Sequence, residues 1–261
     1  MSIQTLLDEG LIVANVGLES FEAPVRAAGV DVTRIDWRPP AQGDAELGLK
    51  VARLVNHPLV ESANAQVMEQ ILAVQPLLVD VVLAREVLPR LAEERLLLHA
   101  GPQIEWERMC GPMRAAVVGA AMLEGWAATT EDAERQADSG EITFEPCHHH
   151  DAVGPMAGII SGSMPVLVVE DAATGSRSYS NLNEGQGRCL RYGALGDDVM
   201  DRLRWMQDRL GPALGAAVRS LPEPINLRSI TAQALQMGDE CHSRNVASNL
   251  DLSWRVWRHG L

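Results

Sequence analysis

Between residues 11 and 100, short apolar runs take turns with helical patterns, and this alternation limits the folds open to the chain more than any other feature. Leu11-Ile-Val-Ala-Asn-Val16 carries the signal of a buried strand and is ended by Gly17. Residues 19–28 carry a helical pattern stopped by Gly29, and Val30 to Asp36 alternates as a second strand. Helical patterns follow at about 44–56 and 60–74, then a third strand at Leu77–Leu83, a helix at 85–94 and a fourth strand at Leu96–Leu98. Strands separated by helices predict βαβ units in a mainly parallel sheet. The expectation is therefore an α/β chain whose N-terminal domain, residues 1–103, is Rossmann-like.

Beyond residue 100 the rhythm changes. Gly101-Pro102, Gly111-Pro112, Gly154-Pro155 and Gly211-Pro212 mark turns or helix starts. Met113 to Ala127 predicts a small-residue helix packed closely against another surface, and Thr129-x-x-Asp132 offers a capping box for the next helix. Pro165–Glu170 and Arg177–Leu182 flank Asp-Ala-Ala-Thr-Gly-Ser, which predicts a hairpin. Residues 197–220 and 226–252 carry helical patterns. Residues 104–261 thus read as a helix-rich α+β domain.

Charge narrows the function. The net charge is −13, and Lys50 is the only lysine among the 22 basic residues. Such a surface lacks the positive footprint that nucleic acid or an anionic membrane would need. No apolar stretch is long enough to span a bilayer, and the acidic N-terminus does not resemble a signal peptide. Cys110, Cys147, Cys189 and Cys241 form no C-x-x-C pair, which fits a reduced, cytoplasmic protein rather than a disulfide or zinc framework.

Several clusters could carry chemistry. Asp36 stands where a dinucleotide fold places its ribose-binding acid, but the loop Asn15–Ser20 lacks G-x-G-x-x-G and presents Glu19, so NAD binding is disfavoured. Arg38, in Asp36-Trp-Arg-Pro-Pro40, either grips a carboxylate or phosphate or pairs with Asp36. In Cys147-His-His-His150, an extended chain would turn His148 and His150 to one side as metal ligands or proton-transfer groups. Asn183-Glu184-Gly-Gln-Gly187-Arg188-x-x-Arg191 reads either as an anion cradle or as a turn closed by a Glu184–Arg188 pair. Asp239, Glu240, His242, Arg244 and Asn245 crowd the end of a predicted helix and favour acid–base or substrate-clamping work. His99 reads equally as a satisfied core residue or a functional one, with Arg114 a little further along.

Asn15-Val-Gly17, Asp36–Pro40, His99-Ala-Gly-Pro102, Met109–Met113, Glu124-Gly-Trp126, Pro146–His149, Val153–Gly158, Leu182–Gly185, Leu190-Arg-x-Gly193 and Gln233–Glu240 together resemble the YlbE/AllG family. The resemblance runs from Asn15 to Asn245. Members' genes typically lie beside those of FdrA-type proteins, and the AllG member is a subunit of oxamate carbamoyltransferase in anaerobic allantoin breakdown. This chain departs from the family pattern at Ser243, where members usually carry asparagine, and its end at Ser253–Leu261 is expected to be shortened.

The resemblance implies a carbamoyltransferase subunit acting between carbamoyl phosphate and oxamate, or a related amide, with oxalurate and phosphate as the other pair. Such transfer needs cations for the anionic groups, donors for the developing oxyanion and a group that moves one proton. Arg38, Arg114, Arg188, Arg191 and Arg244 are candidates for the first role, and Asn183 and Asn245 for the second. His148, His150 and His242 are candidates for the third, oriented by Asp239 or Glu240, with Glu184 also placed at the substrate. No cofactor is required, although a divalent metal is compatible. An FdrA-like partner and a homo- or hetero-oligomer are expected. One alternative is a non-catalytic scaffold or regulatory subunit, with helix 113–127 as its interface. Another is a metal-dependent hydrolase built on His148, His150, Glu184 and Asp239.

Overall fold

The computed structural model describes residues 12–38, 40–182, 184–185, 187–239 and 241. The chain divides into two compact units, Met1–Leu72 and Ala73–Leu261. In the first, β1 (Ile12–Val16) and β2 (Asp31–Ile35) pair in parallel and are joined by α1 (Glu22–Ala27). Asn15 Nδ2 donates to Glu22 Oε1 at 3.2 Å and Arg34 pairs with Glu19 at 2.9 Å, tying strand to helix. Two further helices follow, α2 (Ala45–Val55), capped by the Asp44 side chain, and α3 (Pro58–Ala73).

The second unit is mixed. β3 (Pro76–Leu83) leads through two one-turn helices, α4 (Ala84–Val87) and α5 (Arg90–Glu93), to β4 (Leu96–His99). The helix expected over 85–94 is interrupted at Leu88-Pro89, where proline removes a backbone donor. Next come α6 (Gly111–Leu123), α7 (Thr130–Asp138), β5 (Thr143–Pro146), β6 (Ala152–Val153) and β7 (Ile159–Ile160). Thr129 Oγ1 accepts from Asp132 N at 3.2 Å, the predicted cap of α7. The predicted hairpin forms from β8 (Pro165–Asp171) and β9 (Arg177–Asn181). Helices α8 (Asp197–Trp205) and α9 (Gly211–Ser220) are joined by a π-turn at Met206–Leu210, and β10 (Ile225–Asn226) and α10 (Leu227–Gln236) follow.

A mainly parallel sheet does not form. One sheet runs β10-β3-β8-β9-β6 and another β5-β4-β7. β3 pairs antiparallel with both β8 and β10, while β4 lies parallel to β5 and antiparallel to β7. An apolar run shows that a strand is buried on both faces but does not select its neighbour. The expected third and fourth strands therefore belong to different sheets completed by residues past 140, and the division at 72/73 falls well before residue 103.

Helix α6 stands at the centre of the largest core. Met113, Ala116, Val117, Val118, Ala120 and Ala121 are buried with Leu97 of β4, Ile159 of β7, Leu190, and Val199 and Leu203 of α8. The small-residue helix expected as an interface in the scaffold alternative packs inside this unit, because its alanines and Gly119 let neighbours approach from several sides. Leu96, Leu98, Ile160 and Val166 form a second core, on the opposite face of β4 from Leu97. A third joins Leu78 and Val81 of β3 to Val218 of α9, Ile225 and Ile230.

Gly215 lets α9 lie directly on β3, since a β-carbon there would overlap the carbonyl oxygen of Val81. Alanine normally gains up to about 1 kcal/mol over glycine inside a helix. At this site overlap with fixed backbone reverses the sign, so Gly215→Ala should lower stability by about 1–3 kcal/mol in urea unfolding. An unchanged or raised midpoint would show that the α9–β3 contact yields easily.

Candidate functional site

The site is built on the segment after β9. Glu184 turns its carboxylate toward the start of a short 3-10 helix, Leu190–Tyr192, accepting from Leu190 N at 2.6 Å and Arg191 N at 3.2 Å. These are donors that a helix start leaves unpaired, and a carboxylate satisfies them strongly. The alternative Glu184–Arg188 pair is not what forms. Arg188 instead reaches Asp198 at 3.4 Å and the Leu195 carbonyl at 3.4 Å, on the surface.

Gly193 ends the short helix at φ 81°, and a β-carbon there would stand 3.0 Å from Pro112 Cα at the start of α6. Leu190 and Leu195 close over Gly119. The loop is thereby held against α6, with Arg191 at its edge. Arg191 Nη2 donates to the Gly185 carbonyl at 3.4 Å, its guanidinium lies 4.7 Å from the centre of the Tyr192 ring, and its Nε is buried without a hydrogen-bond partner among the described residues.

Glu184 and Arg191 line a narrow cleft with Ala116, Ile159, Met164 and Leu203 among its apolar walls, and about 20 Å³ of it is open to a water-sized molecule. Such a space holds about one water. The arrangement places a guanidinium and a carboxylate together at the edge of an otherwise largely apolar cleft.

The other expected site residues are dispersed. Arg114 Nη2 donates to the Glu107 carbonyl at 2.6 Å and its guanidinium lies 5.1 Å from the centre of the Trp106 ring. Arg38, in the first unit, pairs with Asp36 at 3.2 Å, which is the alternative weighed for it. Asp239 is buried just past α10, where its Oδ1 accepts from Cys241 N at 2.8 Å. Asn183, Glu240, His242, Arg244 and Asn245 lie outside the described residues.

Residues Cys147–His150 do not run extended but form a 3-10 turn between Pro146 and left-handed Asp151, so the alternation expected for His148 and His150 is lost. His148 and His149 are exposed with their rings edge-on, while His150 Nε2 lies 2.6 Å from Glu145 Oε2. Arg90 binds Glu145 at 2.7 Å and Glu94 at 2.8 Å. None of the three histidines lines the cleft. Among the described residues, no three His, Cys, Asp or Glu side chains come together as metal ligands.

Burial would raise the Glu145 carboxyl, but hydrogen bonds from Arg90 and His150 outweigh it and hold the group below the ordinary range. Burial pushes the Cys147 thiol up to about 11, which keeps it protonated and unreactive. Residues that sequence reasoning did not assign are Ser161 and Ser163, both buried. Ser163 Oγ donates to Glu124 at 2.9 Å and accepts from Arg85 at 3.1 Å, giving Glu124 of the Glu-Gly-Trp segment a structural partner. The small-residue run Ser161-Gly-Ser163 was the available signal.

The family described as "Oxamate carbamoyltransferase subunit AllG" matches residues 142–256, which include the cleft's Glu184 and Arg191. Over that stretch the chain resembles the AllG family. The Oxamate carbamoyltransferase subunit AllG of Escherichia coli K12 is 50% identical over 190 residues, covering 73% of this chain and 45% of that protein. Uncharacterized protein YahG of the same organism is 43% identical over 247 residues, covering 94% of this chain and 52% of its own. A crystal structure of a conserved protein of unknown function from Enterococcus faecalis V583 shares 46% identity with a TM-score of 0.73, over 76% of this chain and 47% of that one. The chain spans about half the length of the curated relatives it matches. Among the described residues no helix is long and apolar enough to cross a membrane.

Two outcomes follow from the geometry. Glu184→Ala leaves two backbone N–H groups unpaired and should cost about 1–3 kcal/mol, with faster hydrogen exchange confined to the Leu190 and Arg191 amides. Unchanged exchange there would show that the carboxylate does not hold the loop. Because Glu145 is depressed in the fold, its pairing contributes stability above the ordinary glutamate range, about 4.3, and loses it as pH falls through the lower folded value. The stability difference between wild type and Arg90→Ala should therefore be largest near neutrality, close on acidification and shrink with added salt. A difference independent of pH would exclude this origin.

Proposed function

We propose that this chain is an AllG-type subunit that takes part in carbamoyl transfer between carbamoyl phosphate and oxamate or a related small amide. In that reaction the amide nitrogen attacks the carbamoyl carbon, the carbon–oxygen bond to phosphate breaks with its electron pair leaving on phosphate, and the amide gives up one proton. Both substrates are anions, and a protein of net charge −13 must present local cations to gather them. The observation that carries the reading is Arg191, set in the wall of the cleft with a buried Nε–H that meets no acceptor among the described residues.

Support also comes from the match of residues 142–256 to the AllG family and from the identity to the E. coli oxamate carbamoyltransferase subunit. The rest of the assignment belongs to the same proposal. It comprises a cytoplasmic, multi-subunit assembly with an FdrA-like partner, a role in allantoin breakdown, and a Rossmann-like character for the parallel β1–α1–β2 unit.

Calorimetric titration of the chain, alone and with its partner, should show binding of carbamoyl phosphate, oxamate or oxalurate. A charge-assisted hydrogen bond is worth about 1.5–3 kcal/mol, so Arg191→Ala should weaken binding about tenfold or more. Arg188→Ala, which removes an exposed ion pair, should leave affinity nearly unchanged. Equal affinities for wild type and Arg191→Ala would remove Arg191 from the site.

A further inference from the structure

His99 ends β4 and is wholly buried. Its Nδ1 lies 3.1 Å from the Ala100 carbonyl oxygen. A carbonyl can only accept, so Nδ1 carries the hydrogen, and in the neutral ring Nε2 is left as a bare acceptor. That Nε2 is buried with no hydrogen-bond partner among the described residues. Leaving such a group unpaired costs about 1–3 kcal/mol, which an apolar side chain in its place would not incur.

Its position relates it to the cleft. Side chains alternate along a strand, so His99 shares the face of Leu97, which packs with Ile159 and Ala116 in the core around α6. His99 is also directly opposite Ile159 across the β4–β7 pair. Side chains paired in this way have β-carbons about 4.5–5.5 Å apart. Ile159 and Ala116 both line the cleft that holds Arg191. The imidazole therefore stands one side chain behind the cleft wall. Ser161, two residues beyond Ile159, brings a second wholly buried polar atom, its Oγ, without a partner among the described residues.

We propose that His99 Nε2 accepts an amide N–H from a ligand whose anionic group is held by Arg191, the ligand displacing the Ile159 side chain to reach it. The ligand class is a small carboxylate or phosphate that also bears an amide. This choice of class rests on the carbamoyl-transfer reading, whereas the acceptor role rests on the geometry of His99 alone.

The test compares oxamate with oxalate, which has the anionic groups but no N–H. In the full chain labelled with 15N-histidine, oxamate should move the His99 Nε2 resonance and oxalate should not. His99→Asn keeps a donor toward the Ala100 carbonyl while removing the acceptor. It should weaken oxamate binding about tenfold, the equivalent of one lost hydrogen bond, and leave oxalate binding unchanged. If both ligands bind but Nε2 stays still and the variant alters neither, His99 is a core residue and the proposal fails while the carbamoyl reading stands. Equal weakening of both ligands also overturns it, since that marks a general structural role. If wild type binds neither these ligands nor carbamoyl phosphate, the carbamoyl reading fails and takes the proposal with it. Should His99→Asn not fold, the wild-type resonance decides the question unaided.

Discussion

The packing of α6 governs the second unit. This helix contributes little side-chain bulk on the faces it buries, and neighbours close in on it from several directions at once. Leu97 and Ile159 approach from the β5-β4-β7 sheet, Leu190 and Leu195 from the loop after β9, and Val199 and Leu203 from α8. Interiors are packed as densely as organic crystals, so these approaches are coupled rather than independent. The loop that carries Arg191 can rest where it does only because Gly119 has no side chain and because Gly193, in left-handed backbone, meets Pro112. The position of a charged group is thus set by where small residues occur on a buried helix.

Electrostatics divides the arginines by use. Arg34, Arg90, Arg135, Arg177 and Arg188 each meet a carboxylate, and exposed pairs of this kind contribute little to stability while neutralising the cation locally. Arg191 is anchored differently, by a carbonyl and the face of a tyrosine ring. Neither contact cancels its charge, and stacking on the ring orients the guanidinium plane. Glu184, the nearest acid along the segment, is occupied with backbone N–H groups. Arg191 and Glu184 therefore stand as a cation and an anion on the same cleft.

Local signals were legible where local chemistry decides. The β8–β9 hairpin follows from its turn, α6 begins at Gly111-Pro112, and Thr129 caps α7, all within a few residues of the features that specify them. Sheet membership was not legible, because β3 finds β8 about ninety residues later and an apolar strand carries no record of its partner. His148–His150 failed for a related reason, since three polar residues have no periodicity and the turn is imposed by Pro146 and Asp151. At the site, the 183–191 segment stood out by its glycines and arginines. The real partner of Glu184 was backbone, which no residue type announces.

The polar atoms without partners sharpen this picture. Folded proteins pair nearly all buried polar groups, and departures concentrate where a structure serves something besides stability. Among the described residues Arg191 Nε, His99 Nε2 and Ser161 Oγ are such departures, one on the cleft and two beside its wall residue Ile159, and Arg114 Nε, which does not line the cleft, is a fourth. The first three differ in kind, comprising a charged donor, a lone-pair acceptor and a hydroxyl that can be either. An apolar ligand would satisfy none of them, and a simple anion would satisfy the donors but leave the imidazole unpaired. A molecule carrying an anionic group and an N–H on a short frame is the kind of ligand proposed above for donor and acceptor together. The chemistry of these atoms complements the ligand class proposed for the cleft.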